Sequence, residues 1–113
     1  MLRRLAMSLA LALPVVTASA VPAAAQSAAP IGVWRTADGS EGLVVQANRS
    51  CGFLFRGRPR YSGTCTWQSS YRGGILTLTY PMPLAPGHIR WSIVWINATT
   101  ITVTGDVFHK IGN

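Results

Sequence analysis

From residue 31 onward, apolar and polar side chains alternate in short runs with a period of two. Leu76, Leu78 and Tyr80 alternate with Thr77 and Thr79, and Trp91, Ile93 and Trp95 alternate with Arg90, Ser92 and Val94. A period of two places one set of side chains on one face of a strand. No stretch repeats apolar residues at the helical spacing among good helix formers. Glycine and proline instead punctuate the chain every eight to twelve residues, as in all-β folds. The pattern predicts strands at residues 31–36, 41–48, 51–56, 60–68, 75–80, 88–96, 100–104 and 107–111. Turns are expected at Asp38-Gly39, Asn48-Arg49-Ser50, Gly57-Arg58-Pro59, Gly73-Gly74, Pro81 to Gly87, Asn97 to Thr99 and Gly105-Asp106.

Two hairpins can be taken to register. Centring the first on Arg58 sets Cys51 against Cys65, Phe53 against Gly63 and Phe55 against Tyr61, all on one face. Aromatic cover over a cross-strand glycine and a cross-strand aromatic pair both stabilise a sheet. In the second hairpin Trp95 faces Ile101, Ile93 faces Val103 and Trp91 faces Gly105. Its other face carries Val94 against Thr102, Ser92 against Thr104 and Arg90 against Asp106. A slip of one residue would set the tryptophans opposite threonines.

Eight short antiparallel strands, each with one apolar face, bury those faces and lose their edges by curling into a barrel. The expected fold is therefore all-β, a small antiparallel meander barrel of about eight short strands, with a two-sheet sandwich as the alternative. Cys51 and Cys65 are expected to form one hairpin disulfide, which on the chain-entropy model stabilises by ~3 kcal/mol for a loop of about 15 residues.

The first residues follow another pattern. Arg3 and Arg4 precede an apolar run from Leu5 to Val16, and small residues lead to Ala23-Ala24-Ala25. These are the three regions of a cleaved secretory signal. The apolar run is shorter than the ~20 residues a membrane-spanning helix needs, and Pro14 interrupts it. The expected organisation is a signal peptide at 1–25, with Ala18-Ser19-Ala20 as a competing cut. An exposed linker at 26–30 and one domain at 31–113 follow. Localisation is then periplasmic or secreted, where a cysteine pair is normally oxidised.

Loss of Arg3 and Arg4 lowers the formal charge of +7 by two, to +5. Such a surface is drawn to lipid headgroups, acidic polysaccharide, nucleic acid or acidic proteins. Arg56, Arg58 and Arg60 flank the first hairpin turn, and with Arg49 and Arg72 they are candidates for a basic, protein-binding rim. Arg56-Gly57-Arg58-Pro59 also matches the core of a minor-groove AT-hook, but a solvated turn in an exported hairpin accounts for it better. His88 and His109 lack metal-ligand spacing, both cysteines are committed to each other, and only Asp38, Glu41 and Asp106 are acidic. No metal, cofactor or catalytic residue is therefore expected. Trp67, Trp91 and Trp95 are candidates to line a pocket for a small apolar ligand, the competing account being that they fill a small core. Asn48-Arg49-Ser50 and Asn97-Ala98-Thr99 match the glycosylation sequon, but both read as turns behind a leader of bacterial type.

Ile31-Gly32-Val33-Trp34-Arg35 opens the domain, and this Gly-x-Trp resembles the entry motif of lipocalin-like barrels. Gly63-Thr64-Cys65-Thr66-Trp67, Gly74-Ile75-Leu76-Thr77-Leu78 and the closing Phe108-His109-Lys110 are similar to phrases of short exported bacterial domains of that type. The resemblance implies that Trp34 plugs the closed end of the barrel and that Lys110 packs over it. Together these readings predict a non-enzymatic exported binding protein of the cell envelope, which binds or inhibits a protein partner through the arginine-tipped hairpin. The alternatives are a carrier of a small apolar ligand and a structural envelope protein.

Overall fold

The computed structural model describes residues 27–113, so the expected leader at 1–25 lies outside the described residues. Eight antiparallel strands close into a barrel, each bonded to the next and the last to the first. They are β1 (Gly32–Arg35), β2 (Glu41–Val45), β3 (Ser50–Phe55), β4 (Arg58–Ser70), β5 (Gly73–Tyr80), β6 (Gly87–Asn97), β7 (Thr100–Val103) and β8 (Asp106–Gly112). Closure runs through β1 and β8, where Trp34 lies opposite Lys110 and Arg35 opposite His109. This decides between barrel and sandwich, and it leaves no strand edge unpaired. The alternating side chains meet inside as a core that includes Trp34, Leu43, Leu76, Leu78, Ile93, Ile101 and Phe108. Among the described residues no helix is long and apolar enough to cross a membrane.

In a meander, successive turns fall at opposite ends of the barrel. The β1–β2, β3–β4, β5–β6 and β7–β8 turns form one end, called here the hairpin end. The β2–β3, β4–β5 and β6–β7 turns form the other, together with the entry and exit of the chain.

The β6–β7 register has the expected pairs Ile93 with Val103, Val94 with Thr102 and Trp95 with Ile101. It stops sooner than expected. Thr104 and Gly105 both have positive φ, 48° and 94°, and they turn the chain so that Asp106 opens β8 opposite Val103. The β6–β7 ladder does not reach Arg90 and Asp106 pairs with Val103, so the expected facing of Arg90 and Asp106 does not occur.

The β3–β4 hairpin departs from its expected register by two residues. Its turn is Arg56-Gly57, with φ of 53° and 75°, and does not centre on Arg58. A two-residue turn with both φ positive follows the twist of the flanking strands, which a wider loop does not. Cys51 therefore lies opposite Gly63 and Phe53 opposite Tyr61, and a bulge at Arg60 brings Phe55 opposite Arg58. A slip of two keeps every side chain on its face. Cys51 and Cys65 thus still point inward and are joined, diagonally, with Cα atoms 5.8 Å apart. Gly63 owes its place to β5, because a Cβ there would run into the Thr79 carbonyl.

Residues 27–30 are not the exposed linker expected for 26–30. Pro30 is fully buried, and the segment crosses the barrel end as a strap held by three indoles. Trp34 Nε1 donates to the Pro30 carbonyl, Trp67 Nε1 to Ser27 and Trp95 Nε1 to Ala28, each at 2.9 Å. A tryptophan packed in a core still needs an acceptor for its N–H. Strand carbonyls are taken by the ladders, and the strap offers free ones. The end opposite the hairpin end is called the strap end below.

Candidate functional site

The predicted arginine rim divides between the two ends. Arg56, Arg58 and Arg60 are exposed together at the β3–β4 tip, whereas Arg49 lies in the β2–β3 turn and Arg72 in the β4–β5 turn, at the strap end. A rim of five cannot form, because the meander sends alternate turns to opposite ends. At the tip, the Arg56 guanidinium lies 5.4 Å from the Phe55 ring centre and that of Arg60 lies 5.5 Å from Tyr61. The Arg56 N–H donates to the Ser40 carbonyl at 2.5 Å, which moors the tip to the β1–β2 turn. Phe55 is 40% exposed beside these arginines. Arg49, Arg56 and Arg72 all have positive φ, between 53° and 73°, a backbone more readily taken by glycine or asparagine.

Below the tip, aromatic side chains fill the barrel. Phe53 stacks on Trp91 across the interior at 5.3 Å, and Tyr61 meets Tyr80 at 5.0 Å. Gly87 lacks a Cβ where the Tyr80 ring lies. Trp91 is thus a core residue, and it lies opposite Leu76 of β5, whose other cross-strand partner is Trp67. Of the three tryptophans expected to line a pocket, Trp67 lies in the wall of a cleft at the strap end, Trp91 packs on Phe53 and Trp95 on Trp34.

Asp38, Glu41 and Asp106 line a single depression of about 390 Å³ at the hairpin end, which adjoins the β3–β4 tip, since Glu41 pairs with Phe55 and Ser40 with Arg56. That end therefore carries basic and acidic groups side by side. Among the described residues no three His, Cys, Asp or Glu side chains are grouped to hold a metal ion. His88 Nδ1 lies 2.9 Å from the Thr79 hydroxyl, and His109 lies opposite Arg35 and Thr100.

The Asp38 carboxylate organises the β1–β2 turn. It accepts the Ser40 N–H at 2.9 Å and the Thr36 and Ser40 hydroxyls, each at 2.8 Å. These bonds, that of the Ser40 N–H foremost, lower its pKa from 3.8 to about 2. A carboxylate whose pKa is lower folded than unfolded stabilises the fold above its unfolded pKa and loses that contribution as pH falls through the folded one. The contribution should therefore disappear between pH ~4 and ~2. A carboxyl-carbon NMR titration should place the Asp38 midpoint at the low end of that window; a midpoint near 4 would show that the turn bonds do not hold the anion.

At the strap end, Trp34 is fully buried. Its ring meets Trp95 edge-on at 5.6 Å, and Lys110 Nζ lies 5.9 Å from its centre. Gly32, with φ of 138°, makes the contact possible: a Cβ there would lie 2.7 Å from Lys110 Cε and 3.0 Å from the Gly112 carbonyl. Gly32, Trp34 and Lys110 thus form one packing unit. Beside it, between the strap and the β2–β3 turn, opens a cleft of about 480 Å³ with Trp67 in its wall.

The strap carbonyls of Ser27, Ala28 and Pro30 were not anticipated from the sequence. The signal was present: several core tryptophans require acceptors, and the small residues before Pro30 have carbonyls with no strand partner. Compared with known proteins, the chain matches no family model, no curated protein and no solved structure at a significant level.

Proposed function

We propose that the protein is a non-enzymatic, exported binding protein of the cell envelope, built on a lipocalin-like barrel, which grips an acidic protein partner with its β3–β4 tip. The observation that carries this reading is the cluster of Arg56, Arg58 and Arg60 around half-exposed Phe55, with two of the guanidiniums resting on aromatic rings. Arginine and aromatic residues dominate the energetics of protein interfaces. A guanidinium already stacked has less side-chain freedom to lose on binding. The adjoining carboxylates of Asp38, Glu41 and Asp106 would orient the partner by repelling its acidic patch from the β1–β2 side of the tip.

Export is supported by the leader pattern of residues 1–25 and by the disulfide, which persists in oxidising compartments. The lipocalin-like assignment is supported by the closed eight-stranded barrel and by Lys110 lying over Trp34. Arg56→Asn, Arg58→Ser and Arg60→Ser combined should abolish partner capture from the host's envelope extract. Asparagine suits the turn backbone at 56. Exposed charges contribute little to stability, so Tm should change little. An unchanged capture profile from the folded triple variant would remove the tip from the function.

A further inference from the structure

We propose that the cleft at the strap end is a binding site for a small amphiphilic anion, an apolar body carrying one carboxylate or sulfonate. Its volume of about 480 Å³ falls within the ~300–1,000 Å³ usual for small-molecule sites. Val45 and Leu76, both buried, form an apolar floor. Ile31 stands at the wall 40% exposed, apolar surface that a ligand would cover. The Trp67 ring forms part of the wall, and its N–H is already satisfied by the Ser27 carbonyl. It therefore offers an incoming body aromatic surface with no polar demand.

The charge of the ligand follows from Arg49, the one charged residue of the lining. Its position is defined by the backbone: its N–H donates to the Gln46 carbonyl at 3.0 Å, and its carbonyl accepts from Cys65 N–H at 2.8 Å. Arg49 is thereby fixed to β4 at the rim, where an anionic head can meet the guanidinium while the body lies toward Leu76. A cationic head would meet repulsion, and a neutral one would leave the charge unpaired. This site lies at the opposite end of the barrel from the arginine tip and does not depend on it.

The probe is decanoate, titrated into ¹⁵N-labelled protein purified after export, with decyltrimethylammonium as the oppositely charged control. Saturable shifts are expected at the Trp67 indole N–H and the Arg49 amide with decanoate and not with the control. Ala47→Phe, at an exposed lining position, should fill the cleft and abolish binding. Arg49→Asn, which suits the left-handed backbone at φ 73°, should weaken binding roughly two- to five-fold, the range for an exposed charge pair. The triple variant of the arginine tip should bind like the parent. Absence of saturation at millimolar decanoate, equal binding of the two head groups, shifts centred on Phe53 and Tyr61, or undiminished binding by folded Ala47→Phe would each overturn the proposal.

Discussion

Truncation of Trp34 to alanine is expected to destabilise the protein by ~3–5 kcal/mol, the range for a large buried aromatic. The indole lies at the junction of β1 and β8, where the barrel closes, and three partners lose their contact with it. The Trp95 ring loses its edge-on neighbour, Lys110 loses the surface beneath it, and the buried Pro30 carbonyl loses its donor. A carbonyl left unpaired in the interior itself costs ~1–3 kcal/mol, so the upper part of the range is expected. Small domains have only ~5–15 kcal/mol in total, and the variant should express poorly or melt at least roughly 12 °C lower. Urea unfolding of parent and variant measures the difference. Trp91→Ala should fall in a similar range, because that ring is also buried and stacked on Phe53. Trp95, partly exposed, should cost less. A Trp34→Ala protein with the parent's midpoint would refute the closing role of this residue, and the lipocalin-like reading with it.

Removal of the disulfide is the second large effect. Replacing Cys51 and Cys65 by alanine together should cost ~3 kcal/mol, since the loop they close is short and most of the gain comes from restricting the unfolded chain. Both side chains are buried in the core, at 4% exposure. The double variant therefore also loses packing, which adds to the loss. The folded barrel should nevertheless form, because β3 and β4 remain joined by their ladder and by a two-residue turn. Unfolding of the oxidised protein with and without reductant checks the value independently of the mutation. Coincident unfolding curves, or two free thiols by mass spectrometry in the exported protein, would overturn it.

How far the chain could be read in advance varied with the kind of information each feature needs. All eight strands were legible, and the second hairpin to the residue at Ile93, Val94 and Trp95, because alternation and turn residues are local signals. The Arg56-Gly57 turn was misplaced for a specific reason. Symmetry between two cysteines suggested a directly opposed pair, whereas a disulfide also spans a diagonal, and the left-handed turn governs the register. Arginine at a left-handed position gives no local warning of such a turn. The candidate sites fared less well. Arg56, Arg58 and Arg60 are neighbours in sequence and remained together. Arg49 and Arg72 are distant in sequence, and only the order of the strands assigns them an end.

The alternation of residues by itself determined that this chain is all-β, antiparallel, and apolar on one face of each strand. The alternation is legible because periodicity and turn chemistry act over a few residues. That Lys110 packs over Trp34 was implied only by the resemblance of the Gly32-x-Trp34 phrase to the lipocalin-like entry motif. Only the tertiary structure decided that β1 meets β8 to close the barrel, and that this closure brings tryptophans 34, 67 and 95 to a common end. There their N–H groups donate to the carbonyls of Ser27, Ala28 and Pro30, and burial leaves the Trp34 N–H no alternative partner in water. Whether this segment of small residues is a free linker or a strap depends on Trp67 and Trp95, whose N–H groups reach it from 40 and 67 residues away, and only the closed barrel brings them there.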